Sequence, residues 1–306
     1  MNILWCQDNR ITSFQYLPRI VIKLYCKYNL INSFKYLPSS VRTLFCDGNN
    51  MTNFQYICST VTTLNCELNK IITFQYLFNC VTKLYCGHNQ ITSFQYMPDS
   101  VITLNCNTNQ ITSFQYMSSN VTKLDCQYNE ITSFEYLPSS VTILNCQYNK
   151  ITSFEYLPNS VTKLDCQYNE ITSFEYLPSS VTKLYCENNK ISSFQYLLNS
   201  VTTLYIENNI INSFQYFPSS IKKLKCRYNE IKSVNYLISL GNVGCDIPIN
   251  KNKIVMNRFN YGNEIIDKLY KHKCATIIIK KWQKYWYDEL ISIDNTIMNR
   301  FGYSYI

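Results

Sequence analysis

The chain has 306 residues, 46% of them hydrophobic, and its 28 Lys/Arg against 20 Asp/Glu leave a net charge of +8. That apolar share is ample for a continuous core, while no run of eighteen apolar residues and no basic-then-apolar leader occurs, so neither a membrane span nor a secretion signal is expected and a cytosolic or nuclear protein is the default. The two histidines, His88 and His272, are isolated, and no phosphate loop, G-x-S-x-G turn or zinc spacing is present, so no enzyme, cofactor or metal site is expected.

From Met1 to Leu240 the sequence returns every twenty residues without insertion or deletion, twelve copies in a row, with Val121 to Ser140 (VTKLDCQYNEITSFEYLPSS) as a representative. A period of that length signals a solenoid. Position four is always Leu, from Leu4 to Leu224, position nine always Asn, from Asn9 to Asn229, and position sixteen always Tyr, from Tyr16 to Tyr236. Position six is Cys in eleven copies and Ile206 in the other; position eleven is Ile or, once, Met51; position fourteen is Phe except for Val234.

Leu and Cys two apart, with variable residues at positions three, five and seven, suit a short strand with one face buried. Twenty residues per turn leave such a strand only the neighbouring copies to pair with, in parallel and in register. The Asn lies where the chain leaves the strand, and its amide is placed to satisfy backbone groups left unpaired at the bend. Residues such as Ile131, Phe134 and Leu137, spaced by three, then fill the rest of the cross-section. Proline at position eighteen in seven copies, Pro138 and Pro158 among them, argues for an extended, polyproline-like return path. The invariant Tyr is read as structural, packing the outer side of each turn. Eleven of the fifteen cysteines share one position and would stack about 5 Å apart, within disulfide reach, yet Ile206 replaces one with no other change. Buried free thiols acting as small hydrophobes are therefore expected, with Cys58, Cys80, Cys245 and Cys274 off the ladder.

Written out, the fixed positions are L-x-x-L-x-C-x-x-N-x-I with Val in the first Leu place, which resembles the leucine-rich repeat signature. The tail F-x-Y-L-P-x-S-V resembles the short twenty-residue class known from bacterial effectors, which carry a second Pro where this chain has Gln95 or Glu135. The near-identical copies, rich in Asn, Ile and Tyr, also resemble leucine-rich and FNIP-type repeat proteins of giant DNA viruses and amoebae. Such relatives often begin with an F-box, whereas here the first copy starts at Met1. The resemblance implies a parallel sheet lining a concave face, and, for a viral protein, a location in the host-cell cytoplasm.

In such a solenoid the variable positions three, five, seven, eight and ten would face the concave side. Position three supplies a mostly Lys/Thr column with Lys123 and Lys163; position five supplies Tyr25, Tyr85, Asp125, Asp165, Tyr185 and Tyr205; position eight supplies Tyr28, Tyr128, Tyr148 and Tyr168. Tyrosine offers large rigid area at low entropic cost, so these residues mark the expected surface for an unknown protein partner. Acidic residues beside the lysines break any continuous positive track, which disfavours nucleic acid. Glu130 and Glu170 lie two copies apart, with Lys150 between them, a charge ladder rather than a catalytic carboxylate pair.

At Gly241 the repeat stops, and residues 241–306 carry ten Lys/Arg against six Asp/Glu. From Asn263 onward, apolar residues including Ile266, Leu269, Ile277, Trp282 and Trp286 recur at three and four, an amphipathic helix expected to cap the open end of the solenoid. Lysines between Lys271 and Trp286 also suit weak association with an anionic membrane or a calmodulin-like partner. The expected architecture is an α/β-type leucine-rich repeat solenoid over 1–240 with a helical cap over 241–306. The expected role is non-catalytic protein binding, with substrate recruitment in ubiquitin transfer, or nucleic-acid or membrane binding by the basic tail, as alternatives.

Overall fold

The structure is a computed structural model and describes residues 2–231. Twelve three-residue strands, from β1 (Ile3–Trp5) to β12 (Lys223–Lys225), form one parallel sheet in strict sequence order. Every strand pairs with the next at an offset of one full repeat, as Leu124 with Leu144 and Leu144 with Leu164. The ladder continues past each strand: Cys126 N donates to Asn145 O (2.8 Å), Tyr128 N to Gln147 O (2.9 Å) and Glu130 N to Ile111 O (2.9 Å). Each turn is thus tied to both neighbours, and the sheet repeats once per turn because the sequence does.

The core is one column of identical layers. Val121, Leu124, Cys126, Ile131 and Phe134 are all buried, and among the described residues the same positions are buried from the second copy onward. The buried thiols from Cys26 to Cys186 are free, and several reach the next strand, as Cys26 Sγ donates to Phe45 O at 3.5 Å. Burial pushes their pKa up and keeps them as inert, neutral thiols, the small hydrophobes their interchange with Ile206 implies. Cys58 and Cys80 are half-buried, whereas Cys245 and Cys274 lie outside the described residues.

Position nine does the polar work. Asn129 Nδ2 donates to Cys106 O, Cys126 O and Gln127 O at 3.0 to 3.2 Å, and its Oδ1 accepts Ile111 N at 2.9 Å. One side chain therefore satisfies backbone groups of two successive turns, which is why nothing but Asn occupies the site. Polar residues elsewhere are used similarly: Ser140 Oγ donates to Val121 O at 2.6 Å, and Thr142 Oγ1 to Thr122 O at 3.1 Å.

The return path differs from the extended, polyproline-like run expected. Two hydrogen-bonded turns break it, closed by Leu137 N to Phe134 O (3.0 Å) and by Val141 N to Pro138 O (3.1 Å). Proline opens the second turn, where its missing N–H costs nothing. The first turn places Tyr136 at its second central position with φ of 63°, the left-handed value of a type II turn. The tyrosine also departs from its expected packing role. Tyr36 to Tyr216, one per turn, are 54 to 63% exposed, and Tyr16 is 90% exposed, because a side chain leaving a left-handed turn apex points away from the core.

Among the described residues there are strands and turns and no helix, so this part is all-β rather than α/β. The helical cap expected from Asn263 to Trp286 lies outside the described residues. Core phenylalanine rings on the return side repeat every 5.6 to 6.5 Å, whereas the rings of Tyr128, Tyr148 and Tyr168 on the sheet side repeat every 4.1 Å.

Candidate functional site

Strand alternation turns position four into the core and positions three and five out of it, so the outer face of the sheet carries parallel columns of side chains one turn apart. The sheet side joins the expected residues into three groups. Tyr25 of β2 (Lys23–Tyr25) lies stacked between Trp5 at 3.8 Å and Phe45 at 4.9 Å. Tyr28, in the adjoining column, lies against Gly48, where any added Cβ would come within 2.4 Å of its ring. Gly48 leaves room for that ring and takes a φ of 67°, so it serves both packing and backbone.

The central group is Tyr128, Tyr148 and Tyr168, whose rings stack at 4.1 Å with 9° between successive planes. Their backbones share a positive φ of 51 to 53°, which turns the side chains outward just beyond the strand. The hydroxyls of Tyr168 and Tyr128 hydrogen-bond to Tyr148 and hold its phenol well above its usual pKa. Lys150 pairs with Glu130 at 2.6 Å and Lys190 with Glu170 at 2.8 Å along the rim, confirming a charge ladder. Both pairs are exposed and contribute register and specificity more than stability. Beside the slab, Asp125 and Asp165 are half-buried, and burial raises both carboxyls against hydrogen bonds from Gln127 and Gln167.

The third group surrounds Tyr185 and Tyr205, packed edge to face at 5.0 Å. Lys225 Nζ lies 4.2 Å and Lys223 Nζ 5.0 Å from the Tyr205 ring centre, and Lys163 Nζ lies 5.7 Å from that of Tyr185. Tyr85 joins none of these groups, since Asn65 and Asn105 flank it in register. Lys123 is exposed at the edge of β7 (Lys123–Asp125).

Sequence reasoning placed position seven on the exposed face, whereas most of its column is half-buried and Asp47, Gly87 and Glu187 are buried. Glu187 is only 8% exposed, and its Oε2 has no hydrogen-bond partner. Burial, with Asp165 and Glu207 beside it, pushes its carboxyl up to about 7, against a lowering by Lys225. The unfolded chain releases this proton near its ordinary 4.5, so the group costs stability as pH rises from there through 7. Glu187→Gln is therefore expected to raise stability by about 1–3 kcal/mol at pH 8 and to leave it unchanged at pH 4. Gln127, Gln147 and Gln167 already fill this column, so the amide fits. Urea titration at the two pH values checks it, and equal gains at both would contradict the assignment. No three His, Cys, Asp or Glu among the described residues are grouped to hold a metal, and His88 is exposed with the Glu67 carboxylate near it.

No protein-family model matches the chain, and no curated protein matches it. Solved structures do. YopM from Yersinia enterocolitica superposes with a TM-score of 0.66 at 24% identity, over 74% of this chain and 50% of its own, so this chain spans about half of that protein's length. An internalin of Listeria monocytogenes gives 0.60 at 15% identity over 78% of this chain and 84% of its own. A structure of the LRIM1/APL1C complex gives 0.61 at 15% identity over 99% of this chain and 70% of that one. These likenesses show a parallel leucine-rich repeat solenoid.

Proposed function

We propose that the solenoid is a non-catalytic scaffold that binds a protein partner on its concave sheet face, centred on Tyr128, Tyr148 and Tyr168. The observation that carries this reading is the stacked slab itself: three rings held 4.1 Å apart and flanked by exposed ion pairs. Such a surface is already ordered, so a partner gains aromatic area without paying to immobilise flexible side chains. Tyr25 and Tyr28 at one end, and Tyr185 and Tyr205 with their lysines at the other, extend the same face. Two of the similar solenoids support the reading, since they were solved within assemblies, the LRIM1/APL1C complex and an octameric complex of Latrophilin 3, Unc5D and FLRT2. The ladder cysteines from Cys26 to Cys186 are free thiols, which suits a reducing compartment such as the cytosol.

The test is a pull-down from the cell of origin with the full chain and with Tyr128, Tyr148 and Tyr168 all changed to Ala. A stoichiometric partner is expected for the parent chain. Its affinity should fall about 30- to 1000-fold in the variant, with an unchanged circular dichroism spectrum. Undiminished capture by the variant would remove the slab from recognition.

A further inference from the structure

The tyrosine at position sixteen has no explanation in the core or in the backbone. It is more than half exposed in every described turn. Its φ of 63 to 69° from Tyr36 to Tyr216 is a value that favours Gly or Asn at this turn position. Recent duplication does not account for it either, since the exposed neighbours at positions twelve, fifteen and nineteen vary between turns while the tyrosine never does. The result is one exposed phenol ring per turn on the return side of the solenoid.

Three observations define what such a column fits. First, the phenylalanine rings buried beneath this side repeat at 5.6 to 6.5 Å from turn to turn. A peptide in β conformation advances about 3.2–3.4 Å per residue, so its alternate side chains fall about 6.4–6.8 Å apart on one face. Second, the column carries consecutive carboxylates at Glu135, Glu155 and Glu175, each preceding its tyrosine. Glu135 acts on Tyr136 of its own turn and on Tyr156 of the next, so charge and rings are interleaved along the axis. Third, the chain itself displays the contact: where position fifteen is Lys35, its Nζ sits 5.0 Å from the centre of the Tyr36 ring. Rings in this column accept a cation.

We propose that the convex tyrosine column is a second interaction surface, separate from the concave face. It takes an extended basic peptide along the solenoid axis, one alternate Lys or Arg per turn, seated where Glu135, Glu155 and Glu175 flank Tyr136, Tyr156 and Tyr176. Each cation meets a ring and a carboxylate together, and the match between strand rise and turn spacing keeps successive residues in step.

The proposal is tested with two fluorescein-labelled peptides of equal length, composition and charge, one alternating Lys-Thr and the other in Lys-Lys-Thr-Thr blocks, titrated with the full chain by anisotropy at low salt. The alternating peptide is expected to bind about tenfold more tightly. Glu135, Glu155 and Glu175 changed together to Gln should cost about the same factor, and this variant folds because Gln115 and Gln195 occupy the equivalent place in nearby turns. Tyr136, Tyr156 and Tyr176 changed to Gly, which suits the positive φ, should abolish the preference. Equal affinity for both peptides, retention of binding by the Gln variant, or loss of binding on changing Tyr128, Tyr148 and Tyr168 would each overturn the proposal. The last outcome would move the peptide to the concave face, so failure here is distinguishable from failure of the concave reading.

Discussion

Asn149→Ala is expected to destabilise the protein by about 2–4 kcal/mol, although it removes only one small polar side chain. The amide donates to Cys126 O, Cys146 O and Gln147 O, each at 3.1 Å, and its Oδ1 accepts Ile131 N at 2.9 Å. The three carbonyls keep other donors, Asn129, Asn169 and the Tyr128 amide respectively. Ile131 N has no alternative, and an orphaned amide in a dry interior carries its whole desolvation cost. Asn9 provides the contrast: it is exposed, donates to Cys6 O and Gln7 O, and its loss should cost under about 1 kcal/mol. Because a solenoid opens turn by turn, urea midpoints should be read with hydrogen exchange at Ile131, whose amide is expected to lose its protection selectively. Equal costs at Asn9 and Asn149 would show that the ladder's contribution is not the burial of this donor.

Phe154→Ala should cost more, about 3–5 kcal/mol, since the ring is fully buried, stacks on Phe174 at 6.5 Å and leaves a cavity between two rigid turns. Its layer cannot collapse, because the strands above and below are held in register by the hydrogen-bond ladder. Two residues further on, Tyr156→Gly is expected to change stability by less than about 1 kcal/mol. Relief of a left-handed φ of 64° offsets both the greater entropy of an unfolded Gly and the loss of ring contacts. Calorimetric melting of the two variants separates the roles, and a large loss for Tyr156→Gly would return this tyrosine to the structural part of the repeat.

Much of the architecture is legible in the repeat. An unbroken twenty-residue period admits only in-register parallel stacking, and the invariant Leu, Cys, Asn, Ile and Phe appear as the buried column with the roles their chemistry implies. The sheet-side tyrosines could be assigned to columns by counting, but counting did not show which of them meet. Tyr128, Tyr148 and Tyr168 form a slab because three successive turns carry the same residue, whereas Tyr85 stands between asparagines.

What the sequence by itself determined was the period, the identity of the inward face and the use of Asn at the bend, since each follows from local chemistry repeated at fixed spacing. Tertiary structure alone decided three things: the left-handed backbone at Tyr136 and its equivalents, the burial of Glu187, and the wider ring spacing of the return side. Invariance looks the same in sequence whether a residue is buried or displayed. The direction of its Cα–Cβ bond depends on a backbone angle that the surrounding turns impose.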